Sequence, residues 1–191
     1  MHGTRAWGRK SRSDVRSASH GQPVRTLLLL RHAKSSWADP SLADVDRPLA
    51  PRGEKAARAI ARYLLEKRVH PELVLCSTSR RTRQTFEAIE PSLGRDVPVE
   101  YEQELYGASS GELLARLRTV PPEIVTLLVI GHNPGMQELA LLLAGRGARL
   151  DRLREKLPTA ALATLEMRDG WAELTAGGAE LVDYVVPREL G

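Results

Sequence analysis

The stretch LLLLRHAKSSW, residues 27–37, constrains this chain more than any other. Residues 26–30 form a short apolar run with turn-like residues on both sides, the pattern of a buried strand. That run leads straight into Arg31 and His32, a cation and an imidazole at the end of an interior element. Such a pair is costly there unless something negative meets it.

The rest of the chain alternates strand-like and helix-like segments. Residues 38–50 read as a long polar loop, and Pro51 opens a helix in which Ala57, Ile60 and Leu64 follow helical spacing. Strands are predicted over 73–76, 97–101, 124–130, 160–167 and 181–185. Helices are predicted over SRRTRQTFEAIE, over SGELLARLR with Ser109 or Ser110 as cap, and over NPGMQELALLLAG with Gly145 as its end. Residues 145–158 read as a charged connector, either a solvated loop or a short helix. This alternation predicts an α/β fold with a largely parallel central sheet.

Charge separates a tail from a body. Residues 1–25 hold six basic side chains and one acid, +5, so the formal +4 of the whole chain leaves +4 − 5 = −1 for the remainder. Residues 1–23 are also rich in Ser and Gly and lack apolar periodicity, so they read as a disordered basic tail ahead of a single domain over 24–191. An inert extension or early start codon, an arm for nucleic acid or another anionic partner, and a transit peptide all fit its composition. Nucleic-acid binding would rest on this tail alone, because the body has neither net positive charge nor much aromatic content for stacking. The single cysteine, Cys76, excludes an internal disulfide and suits a reducing, cytoplasmic setting. No apolar run approaches the roughly 20 residues of a membrane span, and no secretory signal is legible.

Ligands of open α/β sheets bind beyond the carboxyl ends of the strands. Three such ends carry chemistry: Arg31-His32, then Arg80 and Arg81 after the second strand, then Gly131-His132-Asn133-Pro134 after 124–130. If those strands are parallel neighbours, two imidazoles and at least two guanidiniums face one crevice, and the guanidinium fork matches phosphate oxygens. Zinc lacks support: His2 and His20 lie in the tail, His70 in a loop, and no HxxxH, HxH or Cys-His pair exists. A cysteine phosphatase loop fails by one residue, since the sixth position after Cys76 is Thr82, and no Walker loop is present. A histidine nucleophile remains: a neutral imidazole attacks a phosphoryl group while guanidiniums stabilise its oxygens. One nitrogen must then be aimed by a bond to the other, with a backbone carbonyl the simplest partner.

The set LLLLRHAKSSW, DVDRPLAPRGEKAA, LVLCSTSRRTRQT, ELYGAS and VIGHNPGM resembles the histidine phosphatase superfamily, and within it the compact SixA-like phosphohistidine phosphatases. The resemblance implies a phosphoglycerate-mutase-like, three-layer αβα sandwich and a phosphatase that needs no metal or cofactor. By position it makes His32 the nucleophile, Arg31 and Arg81 the phosphate arginines and His132 the second catalytic histidine. Arg80 and Ser35 are then candidate substrate contacts, with Lys34 at the rim. The stretch with Asp46, Arg47, Arg52 and Gly53 matches a supporting loop. Ala33 stands where the family has glycine, and the nearest candidate for a general acid, Glu104, is out of register. A site without a placed acid suits a good leaving group such as imidazole. The expected substrate is therefore a phosphohistidine protein or a small phosphate ester. The rivals are a mutase or phosphotransferase of the same superfamily, and a phosphate- or nucleic-acid-binding module with a dead site.

Overall fold

The computed structural model describes residues 23–94 and 96–190. The expected tail, apart from Pro23, lies outside them. Seven strands form one sheet: β1 Arg25–Arg31, β2 Leu73–Ser77, β3 Val99–Glu102, β4 Thr126–Gly131, β5 Ala144–Arg146, β6 Leu162–Met167 and β7 Ala179–Val185. Five helices accompany them: α1 Pro51–Glu66, α2 Arg80–Ile89, α3 Ser110–Leu117, α4 Gly135–Leu143 and α5 Leu150–Glu155. The strand order is β3-β2-β4-β1-β6-β7-β5. β1, β4, β2 and β3 run parallel; β6 is antiparallel to both β1 and β7, and β5 pairs parallel with β7.

The four leucines of β1 explain the layering. Successive side chains of a strand point to opposite faces. Leu27 and Leu29 enter one core with Leu113 and Leu117 of α3, Leu139 and Leu143 of α4, and Leu153 of α5. Leu28 and Leu30 enter the other with Ile60 and Leu64 of α1 and Phe86 and Ile89 of α2. A continuous apolar run is what a strand covered on both faces requires, and the result is the expected αβα sandwich.

Local chemistry sets the helix ends. Pro51 occupies the first turn of α1. Ser79 caps α2 by accepting from the Thr82 amide, and Ser109 forms a capping box with Glu112 at α3. Gly53 is pressed against Lys34: a Cβ there would stand 2.1 Å from the Lys34 carbonyl oxygen. The Ala50 amide also donates to that oxygen at 2.8 Å. The start of α1 is thereby fastened to the segment that follows His32.

Two expectations are corrected. α4 stops at Leu143, and Gly145 belongs to β5, where a Cβ would stand 2.4 Å from the Gly177 carbonyl oxygen. Edge pairing to β7 captures these residues before a glycine cap can form. Of the two readings of the connector 145–158, the short helix holds, as α5, but the stretch is not simply solvated: it also carries the end of β5, and Leu153 and Leu157 are fully buried. No helix among the described residues is long and apolar enough to cross a membrane.

Candidate active site

The sheet brings the three strand ends together. β1, β4 and β2 are parallel neighbours, and the register pairs Arg31 with Gly131. His32 and His132 each stand one residue beyond that pair, so two imidazoles emerge side by side. Their ring centroids are 5.0 Å apart, and both residues are buried, 8% and 7% exposed.

His32 is aimed from behind. Its Nδ1 lies 2.8 Å from the Ala33 carbonyl oxygen; a carbonyl only accepts, which assigns the proton to Nδ1 and leaves the Nε2 lone pair free. Burial drives its pKa down to about 3, the Ala33 carbonyl opposes this, and His132, Arg81 and Arg31 push it further down. The ring is therefore neutral at pH 7. Ala33 itself is fully buried in the α1/α2 core, and its amide donates to Thr85 Oγ1 at 3.0 Å. Its φ is not in the left-handed region, so alanine fills the glycine position without backbone strain.

His132 is held by neighbours from β2 and α2. Its Nε2 is 2.9 Å from Ser77 Oγ, and its Nδ1 is 3.4 Å from Arg81 Nη2. An arginine only donates, so Nδ1 accepts and Nε2–H donates to Ser77. Burial, then Arg81, lower its pKa to about 4, with Asp44 opposing and Arg31 adding to the fall.

Arg31 and Arg81 reach the site differently. Arg31 Nη1 donates to the Leu157 carbonyl at 2.8 Å, while its Nε is buried without a hydrogen-bond partner. Arg81, in the first turn of α2, donates through Nη1 to the Asp44 carbonyl at 2.5 Å and through Nη2 to Asp44 Oδ2 at 2.8 Å. Asp44 also accepts from Arg47 and from the Tyr106 hydroxyl, at 3.0 and 2.7 Å. The Tyr106 bond first, then Arg81 and Arg47, hold its carboxyl down to about 2 against a desolvation cost. The Tyr106 ring meets the His132 ring edge-on at 5.3 Å.

The structure leaves three other candidates outside this cluster. Arg80 is exposed and bonds none of the four residues: consecutive helical side chains diverge by about 100°, so Arg81 turns inward and its neighbour outward. Ser35 is 8% exposed, and its Oγ accepts from Arg47 Nη2 at 2.9 Å; it braces the 35–49 loop. Glu104 is exposed on a 3₁₀ turn and borders a separate depression with Glu102, Leu105 and Arg116. Asp44 and Tyr106 were missed. The supporting loop was legible, but the reach into the site belongs to Asp44, whose carboxylate accepts from Arg81, Arg47 and Tyr106, and not to Asp46. Among the described residues, no group of three or more His, Cys, Asp or Glu side chains is arranged to hold a metal ion.

Comparison with known proteins agrees with this geometry. The family model of the histidine phosphatase superfamily (branch 1) matches residues 27–123. An uncharacterized protein of Mycobacterium tuberculosis is 40% identical over 163 residues, covering 83% of this chain and all of that protein. A structure from Nakamurella multipartitia, assigned as a phosphohistidine phosphatase SixA, is 35% identical, with a TM-score of 0.72 over 86% of this chain and 96% of its own. One from Agrobacterium tumefaciens with the same assignment is 32% identical, with a TM-score of 0.73 over 86% of this chain and 99% of its own. With the signature Arg31-His32 at the end of β1, its second histidine one residue past β4 and its arginine at the head of α2, the chain belongs to branch 1 of the histidine phosphatase superfamily.

Proposed function

We propose that this protein is a phosphatase that works through a covalent phosphohistidine on His32, without a metal or cofactor, on phosphohistidine proteins or small phosphorylated compounds. One observation carries the reading: a buried, neutral His32 whose Nδ1 is tied to the Ala33 carbonyl, leaving Nε2 as an unprotonated nucleophile between Arg31, Arg81 and His132. Nε2 attacks phosphorus, a P–N bond forms, and the bond from phosphorus to the leaving group breaks. Arg31 and Arg81 carry the charge on the phosphoryl oxygens; the unpartnered Arg31 Nε suits an anion oxygen. Water then attacks phosphorus, His32 leaves with its lone pair, and phosphate carries away the water's proton.

The supply of protons favours an easy leaving group. Asp44, the carboxylate bonded to Arg81, is ionised near neutral pH and has no proton to give. An alkoxide would need one, whereas an imidazole already protonated on its second nitrogen departs as a neutral molecule. This supports phosphohistidine as the substrate linkage over an alkyl phosphate. The test combines two measurements. His32→Ala is expected to abolish turnover, and wild type quenched in alkali or detergent to retain alkali-stable, acid-labile phosphate on the protein. Full activity in the variant sinks the assignment, and an isomerised ester in place of inorganic phosphate would favour the mutase.

A further inference from the structure

Beside the phosphoryl site the surface carries a concentration of positive charge that the chemistry above does not use. A cavity of about 380 Å³ lies between α1, α5 and the chain after β7, and a smaller one of about 230 Å³ continues it along α1. The two share Ala56, Pro187 and Arg188. Their rims carry Arg52, Lys55, Arg62, Arg152, Lys156 and Arg188, against a single acid, Glu155. Arg152 is paired with Glu189. The other five cations make no ion pair among the described residues. The chain beyond residue 25 has a net charge of −1, so this face is a local concentration and not a share of general basicity.

Both ends of the strip are fastened to the catalytic strand end. At one end, Arg52 lies in the first turn of α1, next to Gly53, which rests on the Lys34 carbonyl two residues past His32. At the other, Lys156, Pro158 and Thr159 flank Leu157, whose carbonyl receives Arg31. The next amide, that of Ala160, donates to the Arg31 and His32 carbonyls at 3.0 and 3.1 Å. The strip thus rests on the same backbone segments that hold the catalytic strand end.

We infer that this strip is the docking surface for the protein substrate, and that the substrate bears an acidic face around its phosphorylated histidine. The inference rests on the phosphatase reading above and names the substrate class of that site. From Arg52 to Arg62 the strip runs ten residues along α1, roughly 15 Å at the helical rise, with more of it across α5. That extent fits a protein surface better than a small metabolite. The floor of Ala56, Ala59, Pro187 and a fully covered Tyr184 offers no exposed ring for stacking bases, which disfavours a nucleic acid.

The test uses a phosphocarrier protein rich in Asp and Glu around its phosphohistidine, with free phosphohistidine as the small substrate of the same linkage. The triple variant Lys55→Glu, Arg62→Glu, Arg188→Glu is expected to lose about tenfold or more in kcat/KM on the protein, through KM, and to keep wild-type turnover of free phosphohistidine. Added salt should depress the wild-type value on the protein and leave the variant's nearly flat. Equal kcat/KM of variant and wild type on the protein overturns the docking surface. If neither substrate is turned over, the phosphohistidine reading of the site fails, and direct titration with the unphosphorylated carrier still decides the surface. Binding by wild type and not by the variant supports it, and no binding by wild type overturns it. Tighter binding of a single-stranded oligonucleotide to the same face also overturns it.

Discussion

At the scale of single residues, the site is built to keep imidazoles neutral. His32 is held at about 3 and His132 at about 4, burial being the main cause for each. A free histidine would lose its nucleophilic lone pair below about 6.5. The His32 and His132 ring resonances are therefore expected to titrate below pH 5 in an NMR pH titration of the protein; a His32 midpoint at about 6.5 would show that the ring is solvated and ordinary. Asp44 sets a second balance. It positions Arg81, yet its carboxylate opposes an incoming phosphoryl anion across the same guanidinium. Asp44→Asn keeps an acceptor and the backbone bond while removing one charge, so inorganic phosphate should inhibit that variant about 3–10-fold more tightly; unchanged inhibition would place Asp44 outside the anion's field. His32, Arg31, Arg81 and His132 were legible because their chemistry sits at strand ends. Asp44 and Tyr106 were not, because a loop and a 3₁₀ turn converge only in three dimensions and leave no periodic trace.

At the scale of elements, contacts with no sequence signal hold the site's frame. The rise from Leu27 to Leu30 announces a buried strand, and Pro51 announces a helix start. Nothing in the residues around Gly53 announces that a helix must lie flat against the Lys34 carbonyl. Gly53→Ala puts a methyl 2.1 Å from a backbone oxygen, and a backbone atom yields less easily than a side-chain tip. Overpacking of this kind costs about 1–3 kcal/mol. The variant should show a lowered urea midpoint and a loss of turnover greater than the loss of folded protein, because the displaced Lys34 segment also carries His32. An unchanged midpoint would mean that α1 slides freely on the loop. The same blindness explains Gly145. A glycine after an apolar helix reads as a cap, and only the pairing of its neighbours Ala144 and Arg146 with the distant strand β7 assigns it to the sheet.

At the scale of the whole molecule, the parallel order β2-β4-β1 is what converts separate strand ends into one site. The alternation of segments predicted a largely parallel sheet, but which strands become neighbours, β1 beside β4 and β4 beside β2, is a tertiary choice. The same assembly couples stability to pH. Unfolding exposes His32 and His132 to water, where each takes up a proton below about 6.5, whereas in the fold they stay neutral until about 3 and 4. The unfolded state binds more protons in that window, so stability rises with pH there and is lost as pH falls from 6.5. At pH 5 each histidine is still neutral in the fold, so the loss does not depend on how far below 5 its folded value lies: it is about 2 kcal/mol per histidine. Asp44 acts in the same direction at lower pH, its contribution being present above the usual carboxylate range and lost toward about 2, and solvent reduces its weight because the carboxylate is half exposed. Urea midpoints measured at pH 7.5 and pH 5 should therefore differ by about 1 M or more. The double variant His32→Asn, His132→Asn, which cannot take up these protons in either state, should remove most of that difference; an equal drop in the variant would place the acid sensitivity elsewhere in the chain.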